Sequence, residues 1–214
     1  MISLRSLPES PDSGTDMSRR PKHREANVTA ALVLFRRQGY TATGLNDIVA
    51  LSGAPKGSLY HYFPDGKLSI AEAAVRQGGA NAAATLNGLA KSGNSAAKLV
   101  RGYGKLLAKW MAKSNFRDGS PISAVLQETA IDNKKISIAG IEAFASWRAP
   151  IVAQLTASGV SAARAERLAI LVIAAIEGSL VQARVEQSAN PIKAVAQELE
   201  ELLKDVSRRT NRTN

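Results

Sequence analysis

The segment YTATGLNDIVALSGAPKGSLYHYF, residues 40–63, constrains this chain more than any other stretch. It holds two short apolar patterns separated by a turn. Thr43 is placed to cap a first helix over 43–51, and Leu45, Ile48 and Val49 give that helix an apolar face. Ser52-Gly53 supplies a tight turn. Pro55, with no N–H to leave unpaired, suits the first position of a second helix. Over 56–62, Leu59 faces inward while Lys56, Ser58, Tyr60 and His61 point out. Two short helices around a Gly-containing turn make a helix-turn-helix, with its motif over 44–63, and the second helix of such a unit fits the DNA major groove.

The remainder reads as helix too. Of 214 residues, 45% are hydrophobic, enough for a substantial core, and only 5% are aromatic. Ala and Leu are abundant and no short hairpin turn sits between alternating apolar runs, so the expected class is all-α. With no cysteine, disulfides and thiolate zinc sites are excluded. The longest apolar run, 168–176, covers about nine residues, against the roughly 20 that a membrane span requires. The first residues lack the apolar core of a secretory signal. A cytoplasmic chain with no membrane partner is the expectation.

Net charge is +10, which favours a polyanionic partner. Its distribution sharpens the point. Between Met17 and Lys67 stand eight basic residues against three acidic ones, half of the chain's excess in a quarter of its length. Enzyme chemistry has little to work with. There are two histidines, no Glu-x-x-His pair, no phosphate-cradling glycine loop and no metal-ligand cluster. The expectation is no catalytic residue, no metal and no cofactor.

Along the chain, residues 1–18 are rich in Ser, Pro and Asp and read as a disordered tail, with Met17 a second candidate start. About nine helices are expected, the first over 21–39 with Gly39 as its stop. A long helix follows from Asp65 toward Leu89, then helices at 96–112, 121–130 (opened by Pro121), 133–157 (kinked at Pro150), 161–188 and 190–208. Leu99, Tyr103, Leu106 and Trp110 form one apolar stripe; Ile192, Val195, Leu199, Leu202 and Val206 form another. The division is a helix-turn-helix domain over 19–66 and a regulatory and dimerisation domain over 67–210.

Phe35, Gly39, Tyr40, Thr43, Ile48, Ser52, Gly53 and the run Lys56-Gly57-Ser58-Leu59-Tyr60-His61-Tyr62-Phe63 resemble, at fixed spacing, the signature of TetR/AcrR-type bacterial repressors. The stretches 116–130 and 177–199 are similar to the LmrA/YxaF-like subgroup, which includes lincomycin- and flavonoid-responsive repressors and often carries Cys where this chain has Ser120. The resemblance implies an all-helical repressor, with an N-terminal three-helix DNA-binding domain and a C-terminal domain that binds a ligand and dimerises.

Side-chain chemistry assigns roles within that frame. Lys56 can reach a phosphate or a guanine edge, and Gly57 lets the backbone approach DNA closely. Ser58 and His61 can meet base edges, Tyr60 and Tyr62 suit phosphates, Thr43 is a second phosphate clamp, and Lys67 grips the backbone from the next helix. Arg19, Arg20 and Lys22 form an arm toward an adjacent groove. Arg36-Arg37 reads as a solvated helix face. For an apolar or aromatic effector the candidates are Tyr103, Trp110, Phe116, Gln127, Phe144, Trp147 and Glu177, the last needing a partner such as Arg184 or a cationic ligand if buried. Helices 161–188 and 191–208 are expected to pair with their copies in a homodimer, aided by the small residues Gly178 and Ser179. A transcriptional activator of the same fold and a non-specific nucleic-acid-binding protein are the alternatives.

Overall fold

Local stop signals set the helix boundaries. The computed structural model describes residues 19–92, 95–120 and 122–213; residues 1–18, with the expected tail and Met17, and Pro121 lie outside them. The side chains of 19–21 and 211–213, hence the arm residues Arg19 and Arg20, lie outside as well. The described residues form nine α-helices and no strand. Helix α1 (Arg19–Gln38) ends at Gly39, whose φ of +84° is a left-handed turn that favours glycine. Helices α2 (Leu45–Ser52) and α3 (Lys56–Tyr62) are separated by Gly53, also left-handed at φ +64°, whose N–H closes on the Val49 carbonyl. The body comprises α4 (Lys67–Lys91), α5 (Ala96–Lys113), α6 (Ser123–Thr129), α7 (Lys134–Ala157), α8 (Ala162–Glu186) and α9 (Asn190–Thr213).

Two local expectations change. Gly44, not Thr43, is the N-cap of α2: its backbone is extended and its N–H donates to the Asp47 carboxylate at 2.9 Å. Thr43 is buried one residue earlier, where its hydroxyl donates to the Gly39 carbonyl at 2.7 Å and ties the α1–α2 turn. Pro55 sits just before α3 rather than as its first residue. Pro150 lies buried inside α7, where its ring removes the N–H that would bond the Ser146 carbonyl, and the helix continues to Ala157.

Helices α1 to α3 close around Phe35, Ile48, Leu59 and Phe63, all essentially inaccessible. Burial of each such side chain contributes roughly 1.5–3 kcal/mol. In the body, α4 packs along α7, α5 along α9, and α8 against both α7 and α9. Missing side chains make the first two approaches possible. A Cβ on Gly79 would come within 2.7 Å of the Ala143 methyl, and one on Gly104 would overlap the Ala196 methyl. Helix α8 is long and apolar enough to cross a membrane by length and composition, but it packs here as a bundle helix.

Both apolar stripes hold in part: Leu99 on α5 and Ile192, Leu199 and Val206 on α9 are buried, while Leu106 and Leu202 turn outward. On α5 the buried edge runs Ala97, Val100, Gly104, Ala108 and Met111 beside the expected Leu99, while Leu106 is 46% exposed. On α9 it runs Ile192, Ala196, Leu199, Leu203 and Val206, leaving Leu202 outside. Small residues cause the error. Close helix approach needs Gly104 and Ala196 inside, and a count of large apolar residues overlooks them.

Candidate nucleic-acid interface

Helix α3 turns one edge inward and the opposite edge to solvent. Leu59 is fully buried and Phe63 closes the helix, whereas Lys56, Gly57, Tyr60 and His61 are exposed. The pairs 56/60 and 57/61 are one helical turn apart, so the four share a face. Seven residues span about 10 Å, roughly three base-pair steps. Beside Gly57 an added Cβ would meet no protein atom within 4 Å, so the surface there is open. Ser58 lies at the edge of this face with its hydroxyl donating to the Pro55 carbonyl at 2.7 Å; its oxygen lone pairs remain to accept. His61 rests edge-on against Tyr62, ring centroids 4.9 Å apart, and Tyr62 is itself half-buried on the core.

The other two expected contacts lie away from that face. Thr43 has its hydroxyl turned inward, as described above. Lys67, at the start of α4, folds back so that Nζ donates to the Thr41 carbonyl at 3.1 Å and lies 4.2 Å above the Tyr40 ring. Burial lowers its ammonium pKa, and the Glu128 charge nearby only partly opposes this. The Tyr40 hydroxyl is shifted up, by burial and then by Glu128.

The head formed by α1–α3 is tied to the body at the end of α1, by contacts absent from any local pattern. An α-helix ends with unpaired carbonyls. Here the Arg36 carbonyl accepts from the Gly119 N–H at 2.9 Å, and the Arg37 carbonyl accepts from Arg184 Nη2 at 2.7 Å. Asp118, nearly inaccessible, receives both arginine side chains: Arg37 Nε donates to Oδ1 at 3.1 Å, and Arg36 Nε lies 3.0 Å from Oδ2. Arg36-Arg37 is therefore a clasp on Asp118, with Arg37 still 54% exposed to solvent. On the far side of Gly39, the Glu128 carboxylate accepts the Tyr40 and Thr41 N–H groups at 2.9 and 2.7 Å. Burial works to raise the Glu128 pKa, but the hydrogen bonds from Thr41 and Tyr40 and the charge of Lys67 outweigh it, and the net direction is down. Gly39 is required twice over: its φ is left-handed, and a Cβ there would stand 2.9 Å from Glu128 Oε1.

Residues 28–74 match the family described as bacterial regulatory proteins, tetR family, and residues 96–198 match the C-terminal domain of LmrA/YxaF-like transcriptional regulators. The chain is 30% identical to the HTH-type regulator YxaF of Bacillus subtilis over 88% of its own length and 98% of the relative's. The chain belongs to the TetR family of transcriptional regulators. It is also 30% identical to the HTH-type regulator LmrA of the same organism, over 85% of this chain and 96% of that one. In fold it is similar to a TetR regulatory protein from Rhodobacter sphaeroides, with TM-score 0.75, 21% identity and coverage of 84% and 97%. A TetR regulator from Legionella pneumophila gives TM-score 0.74 at 18% identity, covering 90% and 99%.

Two cavities in this TetR-family body divide the expected ligand residues. One, of about 290 Å³ between α1, α4 and α5, is walled by Tyr103 and Trp110 with Leu32, Leu106 and Leu107. The other, of about 280 Å³ between α6 and α8, takes Gln127 and Glu177. Arg36 borders both. The Glu177 carboxyl is met by the Ser123 and Ser120 hydroxyls, not by Arg184. Burial pushes its pKa up and those hydroxyls only partly offset it. Phe144 and Trp147 stack edge to face at 5.4 Å in the core, where the Trp147 indole donates to the Gly79 carbonyl. Phe116 packs beside Met111 in a satellite cluster. None of these three lines either cavity.

Proposed function

We propose that the chain is a dimeric repressor that binds a pseudo-palindromic operator through α3 and is released by a small apolar or aromatic effector. The observation that carries the DNA-binding part is the outward face of Lys56, Gly57, Tyr60 and His61, one helical turn long and free of protein contacts at its glycine. Lys56 anchors to a phosphate or guanine, His61 and Ser58 meet base edges, and Tyr60 and Tyr62 bond the sugar-phosphate backbone, which Lys67 joins only when its ammonium leaves the Thr41 carbonyl. The head over 19–66 reads DNA and the body over 67–210 senses and dimerises. Regulation proceeds by binding, not turnover, in the cytoplasm where the chromosome lies.

Pairing is supported by α8. Leu171, Ala174, Gly178, Val181 and Val185 follow helical spacing along its exposed side, with Val181 61% and Val185 80% accessible. Such a stripe on a bundle surface fits burial against a second copy. The α9 helix adds Leu202 at the edge of that surface. Two copies must set their α3 helices about 34–36 Å apart to enter successive major grooves. Helix α4 links sensing to reading: it starts at Lys67 beside the head and carries Gly78, Ala82 and Thr85 in the wall of the α4–α5 cavity. An effector there tilts α4 and changes the spacing of the two α3 helices.

Selection of bound sequences from random duplex DNA, followed by competition at ~150 mM salt, tests the reading. A two-fold-related consensus that outcompetes random DNA by at least ~1,000-fold is expected. Equal affinity for both overturns it in favour of a non-specific nucleic-acid-binding protein.

A further inference from the structure

The α4–α5 cavity is apolar and aromatic on most of its surface, yet one wall is a guanidinium. Among its described lining residues Arg36 alone carries charge at neutral pH, and no carboxylate lines it. The guanidinium carbon of Arg36 stands 5.4 Å from the centre of the Trp110 ring, over whose face the charge is attracted. Its existing partnership is imperfect. Arg36 Nε is 3.0 Å from Asp118 Oδ2 but is a buried donor without hydrogen-bond geometry to any acceptor. Asp118 meanwhile has a well-formed bond from Arg37. A buried donor left unmatched is costly, and a guanidinium pairs best with a planar pair of oxygens. Across the same cavity Tyr103, whose hydroxyl pKa is raised by burial and by the charge of Glu177, stays protonated and able to donate.

We infer that the effector is an aromatic acid, its ring held against Trp110 and its carboxylate or equivalent acidic oxygen read by Arg36. This rests on the reading of the α4–α5 cavity as the effector site. It also specifies how occupancy reaches the head. Arg36 belongs to α1, so the ligand's acid competes with Asp118 for a side chain of the DNA-binding unit itself. Binding draws Arg36 off the clasp, leaving Arg37 as Asp118's charged partner there, and loosens the grip of residues 118–119 on the end of α1.

The test uses the full chain and three probes of one shape: 2-naphthoate, 2-naphthamide and 2-naphthylmethylammonium, titrated calorimetrically at neutral pH. The acid should bind at least ~10-fold more tightly than the amide, with the ammonium weakest. Arg36→Met should erase the preference for the acid over the amide while leaving amide binding in place. Asp118→Asn, which removes the competitor and keeps Arg36, should tighten the acid by about threefold, a gain that a purely structural role for Arg36 does not produce. Ala82→Phe, which fills the cavity, should abolish binding of all three. If acid and amide bind equally and Ala82→Phe blocks both, the cavity is the effector site but the inference of an acid fails. If the acid is preferred but Ala82→Phe has no effect, the acid binds elsewhere and the inference fails. If no probe binds, the cavity reading and the inference fall together.

Discussion

Helix α3 and the end of α1 lie within the same small head, but they are held in different ways. The α3 helix is fixed from inside, by Leu59 and Phe63 against the core, and its outer face makes few contacts with the rest of the protein. The end of α1 is fixed from outside, by Gly119, Arg184, Asp118 and Glu128 of the body. The reading surface can therefore change without disturbing the fold, whereas the clasp cannot change without altering how the head is carried. In the function proposed above, specificity and control occupy separate residues.

Substitutions can break that separation. Lys56→Glu carries the largest expected effect: about 100-fold weaker operator binding by fluorescence anisotropy, with the melting temperature unchanged. A matching loss of stability would show that α3 is not free of the fold. Gly39→Ala should do the opposite, because it places a methyl at a left-handed residue and against Glu128 Oε1; about 1–2 kcal/mol of stability should be lost in denaturant melts. Glu128→Gln should cost about 1 kcal/mol, since the carboxylate is exposed and its charge-assisted bonds are screened by solvent. Its pH dependence is diagnostic. The folded pKa of Glu128 is depressed below its ordinary value of 4.5, so the contribution is complete above that value and is lost as pH falls through the folded pKa. Wild type and Glu128→Gln should differ at neutral pH and converge in acid. The smallest effect belongs to Lys204→Ala, which removes an i,i+4 pair with Glu200 on α9; less than ~0.5 kcal/mol and no change in DNA binding are expected.

The same contrast explains what could be read from residue order. The α3 span, the Gly39 and Gly53 turns and the outward set of Lys56, Tyr60 and His61 are local matters, decided by residues within one or two helical turns. Thr43 went astray inside that local region because Asp47, three residues beyond Gly44, captured the cap. The clasp had no such signature. Glu128 meets Tyr40 and Thr41 from 88 and 87 residues away, and Arg184 meets Arg37 from 147. An Arg-Arg pair ahead of a helix-ending glycine looks the same whether it faces water or a buried aspartate. Glu177 was legible as a carboxyl in an apolar helix; that hydroxyls from Ser123 and Ser120 meet it depends on the packing of α6 against the cavity floor. Within one stripe, Leu99 enters the core while Tyr103, Leu106 and Trp110 line a cavity, because Gly104 and Ala108 on the adjacent edge take the close helix contacts.

The two tryptophans occupy opposite situations. Trp147 is sealed in the α4–α7 seam with its indole N–H donating to the Gly79 carbonyl, while Trp110 is only partly buried under the Arg36 guanidinium. Their emission will differ in colour and in sensitivity to quenchers, and a Trp147→Phe chain would keep only the indole at the clasp. A shift in Trp110 emission, with no label attached, is therefore the expected optical sign of Arg36 moving at the head–body joint.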